Sequence, residues 1–354
     1  MTTYVTARGQ VSILDVARRA GVSASTVSRT LRGAENVSSG TRDRVLRAAE
    51  ELSYVPSPAA SRLVTGQTRT VGVVVPFASR WFFTEVVSGA EGVLRAAGYD
   101  LLLYNVGDRE SRARFFAKLP MRRRVDAVLA VAFALTEAEQ AALSALGIPL
   151  TMVGARYSGF ARVGIDDETG AATAVRHLLR LGHRDVVMIS GDPDDALGRT
   201  TTRARQAGFR RALHEVGIEE RPDQIVSEPW GVSGGMRAME HVLSRARLPT
   251  AVFAESDEMA LGALQTLRKS GLGVPADVSV IGFDDHEMAP AGDLTTIAQP
   301  VHRQGELAAR MLLDLVAGEQ VATTDVVLPT RLVVRGSTGP VPPRPPPATR
   351  AERG

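Results

Sequence analysis

The feature that most constrains the fold is a series of short apolar runs alternating with amphipathic stretches between Val71 and about Arg335. The runs read VGVVVP, DLLLYN, DAVLAV, DVVMIS, TAVFAE and VSVIG, and turn residues bound each of them. Strands buried on both faces are apolar throughout, whereas helices that cover a sheet carry an apolar stripe. The pattern predicts α/β architecture with two doubly wound parallel sheets, divided near residues 160–166.

The charge of the chain is distributed unevenly, although the net charge is only +3. Residues 1–69 hold ten arginines against five acidic residues, whereas the remainder is close to neutral. A small basic head on a near-neutral body indicates a polyanionic partner for the head. A solvated basic face would give the same count, so charge alone leaves both interpretations open.

The basic head reads as three short helices. Ser12 and Asp15 form a capping box at the start of the first helix, and Gly21 suits its C-terminal end. Ser23 is placed to cap a second helix and Ser38 a third. Two helices joined by a tight turn at this spacing are typical of a helix-turn-helix unit.

The second predicted helix carries small and cationic side chains on its outer face. Ala24 and Ser25 would let its backbone approach base edges in the major groove, which is wide enough for a helix. Ser25 can hydrogen-bond a base, the Ala24 methyl group can touch a thymine methyl group, and Arg29 can bind guanine bidentately. Thr26 and Ser28 suit phosphate oxygens. The sequence therefore predicts docking into duplex DNA, against the alternative of a helical hairpin without a partner.

Composition shifts divide the chain into four parts: a head over 11–56, a linker over 57–69, a core over 70–337 and a tail over 338–354. In the linker, Ser57, Pro58 and Gly66 would bracket a helix of about two turns, which is marginal on its own in water. The proline-rich tail is predicted to be disordered.

A longer set of motifs resembles the LacI/GalR family of DNA-binding regulators. The family's DNA-binding head resembles the segment VSILDVARRAGVSASTVSRTLRGAENVSSGTRDRVLRAAEELSYVPS. The family's core resembles the segments GIDDETGA, HLLRLGHRDV and GLGVPADVSVIGFDD. The matching segments occur in the family's order over about residues 11–337. The resemblance implies a homodimer whose heads bind a pseudo-palindromic operator. It also implies a core like that of periplasmic sugar-binding proteins, in which three strands cross between two subdomains and a small-molecule effector binds in the cleft.

The same resemblance implies particular boundaries and DNA contacts. The first subdomain would comprise about 70–162 and 300–325, and the second about 163–297 and 326–337. Ala24, Ser25 and Arg29 occupy base-reading positions. Contacts to the DNA backbone are expected from Ser23, Thr26, Ser28, Arg32, Asn36, Ser38 and Thr41. The linker corresponds to a hinge helix that enters the minor groove through Ala60, Ser61, Arg62 and Leu63. The hinge arginine is displaced by one position from the family's Ala-Arg-x-Leu pattern, and Leu63 stands where the family places a wedge between base steps.

Effector contacts are likewise implied residue by residue. Phe82 and Phe83 match paired aromatic residues that stack on the ligand, although both could instead be ordinary core residues. Arg205 matches an arginine that holds ligand hydroxyls or carboxylates, and Asp284 an acid that accepts from ligand hydroxyls or amines. Further candidates are Asp166 or its neighbour Asp167, Arg199, Trp230, Ser256 and Gln299. Sugars are the commonest effectors of the family, and Arg80 and Trp81 in RWFF suggest a flat or anionic ligand.

The alternative class is an enzyme or a free sugar receptor with the same two-lobed core. No phosphate loop, nucleophile elbow or zinc-protease motif is present in the sequence, so no catalytic residue or cofactor is predicted. The acidic cluster FDDHE lies on one loop, where adjacent residues rarely converge on one ion, so no metal site is predicted. The absence of cysteine and of membrane-length apolar stretches fits a cytoplasmic protein.

Overall fold

The computed structural model describes residues 11–31, 34, 36–54, 67–132, 134–193, 199–320 and 323–341, and for Arg199 the backbone alone. The chain divides into two compact units, residues 1–68 and 69–354. The head and the core are therefore described separately. The predicted hinge residues 60–63 and Arg32 lie outside the described residues.

The head contains the three predicted helices: α1 (Ile13–Ala20), α2 (Ala24–Leu31) and α3 (Ser39–Glu51). Val16, Val27 and Val45, one from each helix, are fully buried and form the centre of a small apolar core. The Asp15 carboxylate accepts hydrogen bonds from the backbone N–H and the hydroxyl group of Ser12, as the capping pattern predicts. Gly21 adopts the left-handed conformation that ends α1 (φ 66°).

The first subdomain of the core is built on a six-stranded parallel sheet. Its strands are β1 (Thr70–Val75), β2 (Asp100–Asn105), β3 (Ala127–Val131), β4 (Leu150–Val153), β5 (Ala161–Ile165) and β11 (Asp325–Leu328). Its helices are α4 (Trp81–Ala96), α5 (Arg109–Lys118), α6 (Glu137–Ser144) and α11 (Val301–Val316). The strand order is β11-β5-β4-β3-β1-β2.

The second subdomain repeats this plan. Its strands are β6 (Val186–Ser190), β7 (Ile225–Ser227), β8 (Ala251–Ala254), β9 (Ser279–Asp284), β10 (Thr295–Ala298) and β12 (Arg331–Val333). Its helices are α7 (Asp167–Arg180), α8 (Arg199–His214), α9 (Val232–Leu243) and α10 (Asp257–Lys269). The strand order is β12-β10-β9-β8-β6-β7, and the pair β10–β12 is antiparallel while the other pairs are parallel.

The six apolar runs form β1, β2, β3, β6, β8 and β9, which confirms the predicted α/β class. The subdomain boundaries, however, lie a few residues beyond those expected. β11 pairs with β5 along the whole length of β11 within the first sheet, up to the partners Ile165 and Leu328. The chain therefore crosses between the subdomains after 165 and after 328 rather than after 162 and 325, and crosses a third time after Ala298.

The prediction of a disordered tail from residue 338 is wrong for residues 338–341. The buried ring of His183 donates through Nε2 to the Gly339 carbonyl oxygen at 3.0 Å, because a carbonyl oxygen can only accept. The Val341 N–H donates to the carbonyl oxygen of Leu181 at 3.1 Å. These hydrogen bonds attach the segment to the second subdomain, whereas residues 342–354 lie outside the described residues.

Within the described ranges, no helix combines the length and the apolar composition that a membrane span requires.

Candidate functional site

The head presents α2 with one buried and one exposed side. Val27 and Thr30 point into the core of the head and are buried. The hydroxyl oxygen of Ser23 accepts a hydrogen bond from the Thr26 N–H at 3.2 Å, so Ser23 caps the helix as predicted. Ser25 and Arg29 are exposed and four residues apart, which places them on the same face of the helix.

The other residues predicted to contact DNA lie around this exposed face. Ala24, Thr26 and Ser28 are half-buried, and Ser23, Asn36 and Ser38 are exposed. The Ser38 hydroxyl group donates to the Thr41 hydroxyl oxygen at 3.0 Å, which joins two predicted phosphate contacts at the start of α3. The structure thus leaves small, hydroxylated and cationic groups accessible on α2 and at the start of α3.

A cleft between the two sheets of the core forms the second candidate site. It contains about 840 Å³ of space not filled by protein atoms, part of it open to solvent. Its lining is contributed by Phe77, Arg80, Trp81, Phe82, Phe83, Ala132, Gly154, Ile165, Asp167, Thr201, Arg205, Trp230, Ser256, Glu258, Asp284, Gln299 and Gln304. We call this space the cleft.

The strand directions explain why these residues meet. Most of the lining follows or ends the parallel strands: Phe77 comes after β1, Ala132 after β3, Ser256 after β8, and Asp284 ends β9. Ligands of open α/β sheets bind beyond the carboxyl ends of the strands, because the loops there converge. The two sheets direct these ends towards the same space.

Arg205 on α8 is the central cation of the cleft, with only 3% of its surface exposed. Its Nε donates to Asp167 Oδ1 at 2.9 Å, its Nη1 donates to the carbonyl oxygen of Glu255, and its guanidinium lies 3.7 Å from the centre of the Phe283 ring. Burial opposes the charged form, but the neighbouring carboxylates outweigh it and hold the pKa of Arg205 above its ordinary value.

Asp284 faces Arg205 within a chain of buried hydrogen bonds. The side-chain amide of Gln304 donates to Gln299 Oε1 at 2.8 Å, and the amide of Gln299 donates to Asp284 Oδ1 at 2.7 Å. Burial raises the pKa of Asp284 to about 7, although Arg205 and the Gln299 amide favour its charged form. Near neutral pH this carboxyl group can therefore donate a hydrogen bond to a ligand in one state and accept one in the other.

Glu255 directly follows β8 and contacts Arg205 through its carbonyl oxygen. This residue was not predicted from the sequence. It is fully buried, and its carboxylate accepts from the Gly191 N–H and from the hydroxyl groups of Ser190 and Thr202. Burial raises its pKa, against the lowering effect of Arg205 and these hydrogen bonds. Nothing in the sequence distinguished this glutamate from an ordinary surface residue following a strand.

Aromatic residues line the cleft from both subdomains. The rings of Phe82 and Phe83 meet edge to face with centroids 5.3 Å apart, and both are half-buried against the core of the first subdomain. Each ring therefore packs on the core and also lines the cleft, and the predicted stacking on a ligand stays a prediction. The Trp230 ring lies on the opposite subdomain, 5.9 Å from the Arg205 guanidinium carbon.

The remaining predicted effector residues divide into two groups. Ser256 and Gln299 line the cleft, and the Ser256 hydroxyl oxygen also accepts from the Met259 N–H at the start of α10. Asp166 does not line the cleft, because its carboxylate caps α7 by accepting a hydrogen bond from the Thr169 N–H. The neighbouring residue Asp167 lines the cleft. The side chain of Arg199 lies outside the described part of the chain.

Asp257 has a structural role beside the cleft. It is fully buried, and its carboxylate accepts hydrogen bonds from the His286 N–H at 2.8 Å and from the Thr296 hydroxyl group at 2.7 Å. These contacts join the start of α10 to the loop after β9 and to strand β10. No cluster of three or more potential metal-ligating side chains occurs among the described residues.

Comparisons with known proteins place both candidate sites in one family. Residues 12–57 match the model for bacterial regulatory proteins of the lacI family, and residues 175–338 match a periplasmic binding protein-like domain. The HTH-type transcriptional repressor PurR of Erwinia tasmaniensis is 35% identical over 92% of this chain and 96% of its own length.

Two solved structures agree with this assignment. The lac repressor dimer bound to operator and the anti-inducer ONPF has a TM-score of 0.82, with 28% identity over 93% of this chain and 99% of that chain. The complex of the transcriptional regulator CelR with cellobiose has a TM-score of 0.69, with 33% identity over 92% and 99%. Since relatives about one third identical match nearly the whole of both chains, the protein belongs to the LacI family of bacterial regulatory proteins.

Proposed function

We propose that this protein is a transcriptional repressor whose affinity for a pseudo-palindromic DNA operator is controlled by a small-molecule effector. The observation that carries the proposal is the presence, in one chain, of an exposed helix bearing Ser25 and Arg29 and of a cleft built around Arg205 and Asp284. A regulator needs both a surface that reads DNA and a site that senses a ligand.

In the head, α2 enters the major groove. Arg29 binds guanine, Ser25 hydrogen-bonds a neighbouring base, and the Ala24 methyl group contacts thymine. Hydroxyl groups at the starts of α2 and α3 contact phosphates. By the family resemblance, the hinge segment around Leu63 enters the minor groove. A homodimer supplies two heads for the two half-sites, as in the operator-bound lac repressor dimer.

The effector is a sugar. Phe82, Phe83 and Trp230 offer apolar ring faces to the C–H surface of a sugar, and carboxylates at Asp167 and Asp284 accept from hydroxyl groups. Arg205 completes the polar part of the site, which is the usual composition of a small-molecule pocket. CelR, which resembles this chain, is solved with cellobiose, and another LacI-family regulator is solved with ribose.

Effector binding in the cleft is coupled to DNA binding by the head, because the effector prefers one arrangement of the two subdomains. An effector shifts DNA affinity only by its differential affinity for the two conformations, typically about 1–3 kcal/mol. The functional output is a change in operator occupancy rather than a chemical reaction, and no catalytic residue is assigned.

The test uses the purified full-length protein in a genomic DNA selection, followed by DNA-binding titrations with monosaccharides, disaccharides and purines. We expect a palindromic site, with an affinity that falls steeply as salt rises because phosphate contacts release counterions. A sugar is expected to change that affinity in the wild-type protein and to have no effect in Asp284→Ala. Failure to enrich any palindrome, with or without ligands, would exclude a DNA-binding regulator, and a response to purines alone would exclude a sugar effector.

A further inference from the structure

Arg80 and Trp81, at the start of α4 in the first subdomain, contact the second subdomain directly. Arg80 Nη2 donates a hydrogen bond to the carbonyl oxygen of Trp230 at 3.0 Å. The ring of Trp81 stacks on the ring of His286 with centroids 4.8 Å apart and an angle of 36° between the planes. Two adjacent residues thus bridge the cleft to two separate segments of the opposite subdomain, the one before α9 and the one after β9.

The Arg80 side chain is held in place for this contact. Its guanidinium carbon lies 4.2 Å from the centre of the Phe77 ring, and one of its amino groups is directed at the Trp230 carbonyl oxygen. The sequence suggested from Arg80 and Trp81 a flat or anionic effector. In the structure the Arg80 side chain lines the cleft and also joins the two subdomains.

The surface that Trp81 meets is also fixed. The His286 N–H donates to the Asp257 carboxylate at 2.8 Å, and the Nδ1 atom of the same ring accepts from the Met288 N–H at 2.9 Å. Trp81 lines both the cleft and an adjoining groove that includes Glu85 and His302. Its ring therefore lies where the two spaces adjoin, held there by its contact with His286.

We propose that Arg80 and Trp81 form a latch that joins the two subdomains across the cleft and limits the entry of an effector. The regulatory meaning of the latch rests on the proposed effector site, whereas the latch itself is tested without effector or DNA. Because a ligand binds only the open fraction of the molecules, the latch lowers the apparent effector affinity by that fraction. Arg80 and Trp81 would thereby set the ligand concentration at which the regulator responds.

Intrinsic fluorescence reports on the latch directly, because the chain has two tryptophans and both belong to it. Trp230→Phe leaves Trp81 as the single fluorophore and keeps the backbone carbonyl group that Arg80 contacts. In this background we expect Arg80→Met to red-shift the Trp81 emission and increase its quenching by acrylamide, with no ligand added. Arg95→Met is the matched control, since Arg95 pairs with Glu91 on the exposed side of the same helix.

The reciprocal experiment excludes a purely local effect of changing a neighbouring residue. Trp81→Phe leaves Trp230 as the single fluorophore, and His286→Ala then removes the ring on which position 81 packs. If the two contacts form one latch, Trp230 becomes more accessible to acrylamide although His286 does not belong to its segment. Far-UV circular dichroism confirms that each variant folds, and either experiment remains informative if the other variant does not fold.

Unchanged Trp81 emission in Arg80→Met together with unchanged Trp230 quenching in His286→Ala would overturn the latch. A changed Trp81 emission in Arg80→Met with unchanged Trp230 quenching in His286→Ala would be a local effect and would overturn the latch as well. These measurements use no effector and no DNA, so they hold even if the proposed function fails. Conversely, a protein without the latch could still bind an operator and respond to a sugar.

Discussion

The guanidinium group of Arg205 lies 3.6 Å from the carboxylate of Asp284, with both side chains buried at the cleft. The two residues come from helix α8 and from the end of strand β9, so their contact depends on the packing of the whole second subdomain. Asp167, at the start of α7, completes the arrangement through a second contact with Arg205 at 2.9 Å. The charges that stabilise this part of the second subdomain are therefore the same ones that we propose to recognise the ligand.

Replacing Arg205 with alanine is expected to lower the free energy of unfolding by about 3–5 kcal/mol, because buried carboxylates lose their counter-charge. Urea denaturation of the full-length protein, followed by tryptophan fluorescence, measures this loss. Arg210→Ala is the control on the same helix: Arg210 pairs with Glu220 at the surface and is expected to contribute about 1 kcal/mol or less. Similar losses in the two variants would contradict the central role of Arg205.

The raised pKa of Asp284 predicts a pH dependence of stability. Its folded-state pKa of about 7 lies above the ordinary value of 3.8, so the folded protein binds this proton more tightly than the unfolded chain. The contribution of this group to the free energy of unfolding therefore falls as pH rises from about 4 to about 7. Asp284→Asn removes the titration.

Urea titrations of the wild-type protein and Asp284→Asn between pH 5 and pH 8, values chosen to span roughly this range, measure the effect. We expect the stability of the variant relative to the wild-type protein to increase with pH. A difference that is independent of pH would show that Asp284 is ionised throughout. Comparison with the variant is essential, because burial also raises the pKa of Glu255 and Asp257.

Arg29→Ala is expected to weaken operator binding by about 1–3 kcal/mol, with the loss concentrated at one base pair of each half-site. Titrations against operators changed at single positions measure this pattern. Arg18→Ala is a useful control, because Arg18 is equally cationic and exposed but lies on α1, paired with Asp15. An equal loss on every sequence would instead assign Arg29 to the phosphates.

Strands that are apolar throughout could be predicted from the sequence, whereas those containing buried charge could not. β1 reads TVGVVV, but β5 contains Arg162, which looks like a surface residue in the sequence. In the structure Arg162 is buried and its Nη1 donates to Asp325 on β11 at 2.8 Å, 163 residues away. A partner so distant leaves no local pattern, which is why β5 and β11 were not identified as strands, whereas β4 reads LTMV and is only four residues long.

In the candidate site, too, some residues could be predicted from the sequence and others could not. Phe82, Phe83, Arg205 and Asp284 were identified through motifs of the family, and the structure brings them to one cleft. The contact between Trp81 and His286 joins residues on two subdomains and has no motif. Physical contacts that depend on how the sheets pack against each other become visible only in three dimensions.

Two glycines determine how closely α4 and α11 pack in the first subdomain. A Cβ atom added at Gly89 would lie 2.1 Å from the carbonyl oxygen of His302, and one added at Gly305 would lie 2.0 Å from that of Val86. Backbone atoms cannot yield as the end of a side chain can, so the helices would have to separate. We expect Gly89→Ala to lower the free energy of unfolding by about 1–3 kcal/mol, despite the higher helix propensity of alanine.

Gly92→Ala is the matched control on the same helix, since nothing lies within 4 Å of a Cβ atom at Gly92. There the substitution is expected to stabilise the protein by up to about 1 kcal/mol, because alanine favours the helix and meets no neighbour. Urea denaturation of the two variants should therefore give shifts of opposite sign. Stabilisation by both would mean that α4 and α11 do not approach through Gly89 in solution, and destabilisation by both would mean that Gly92 is covered by a contact outside this chain.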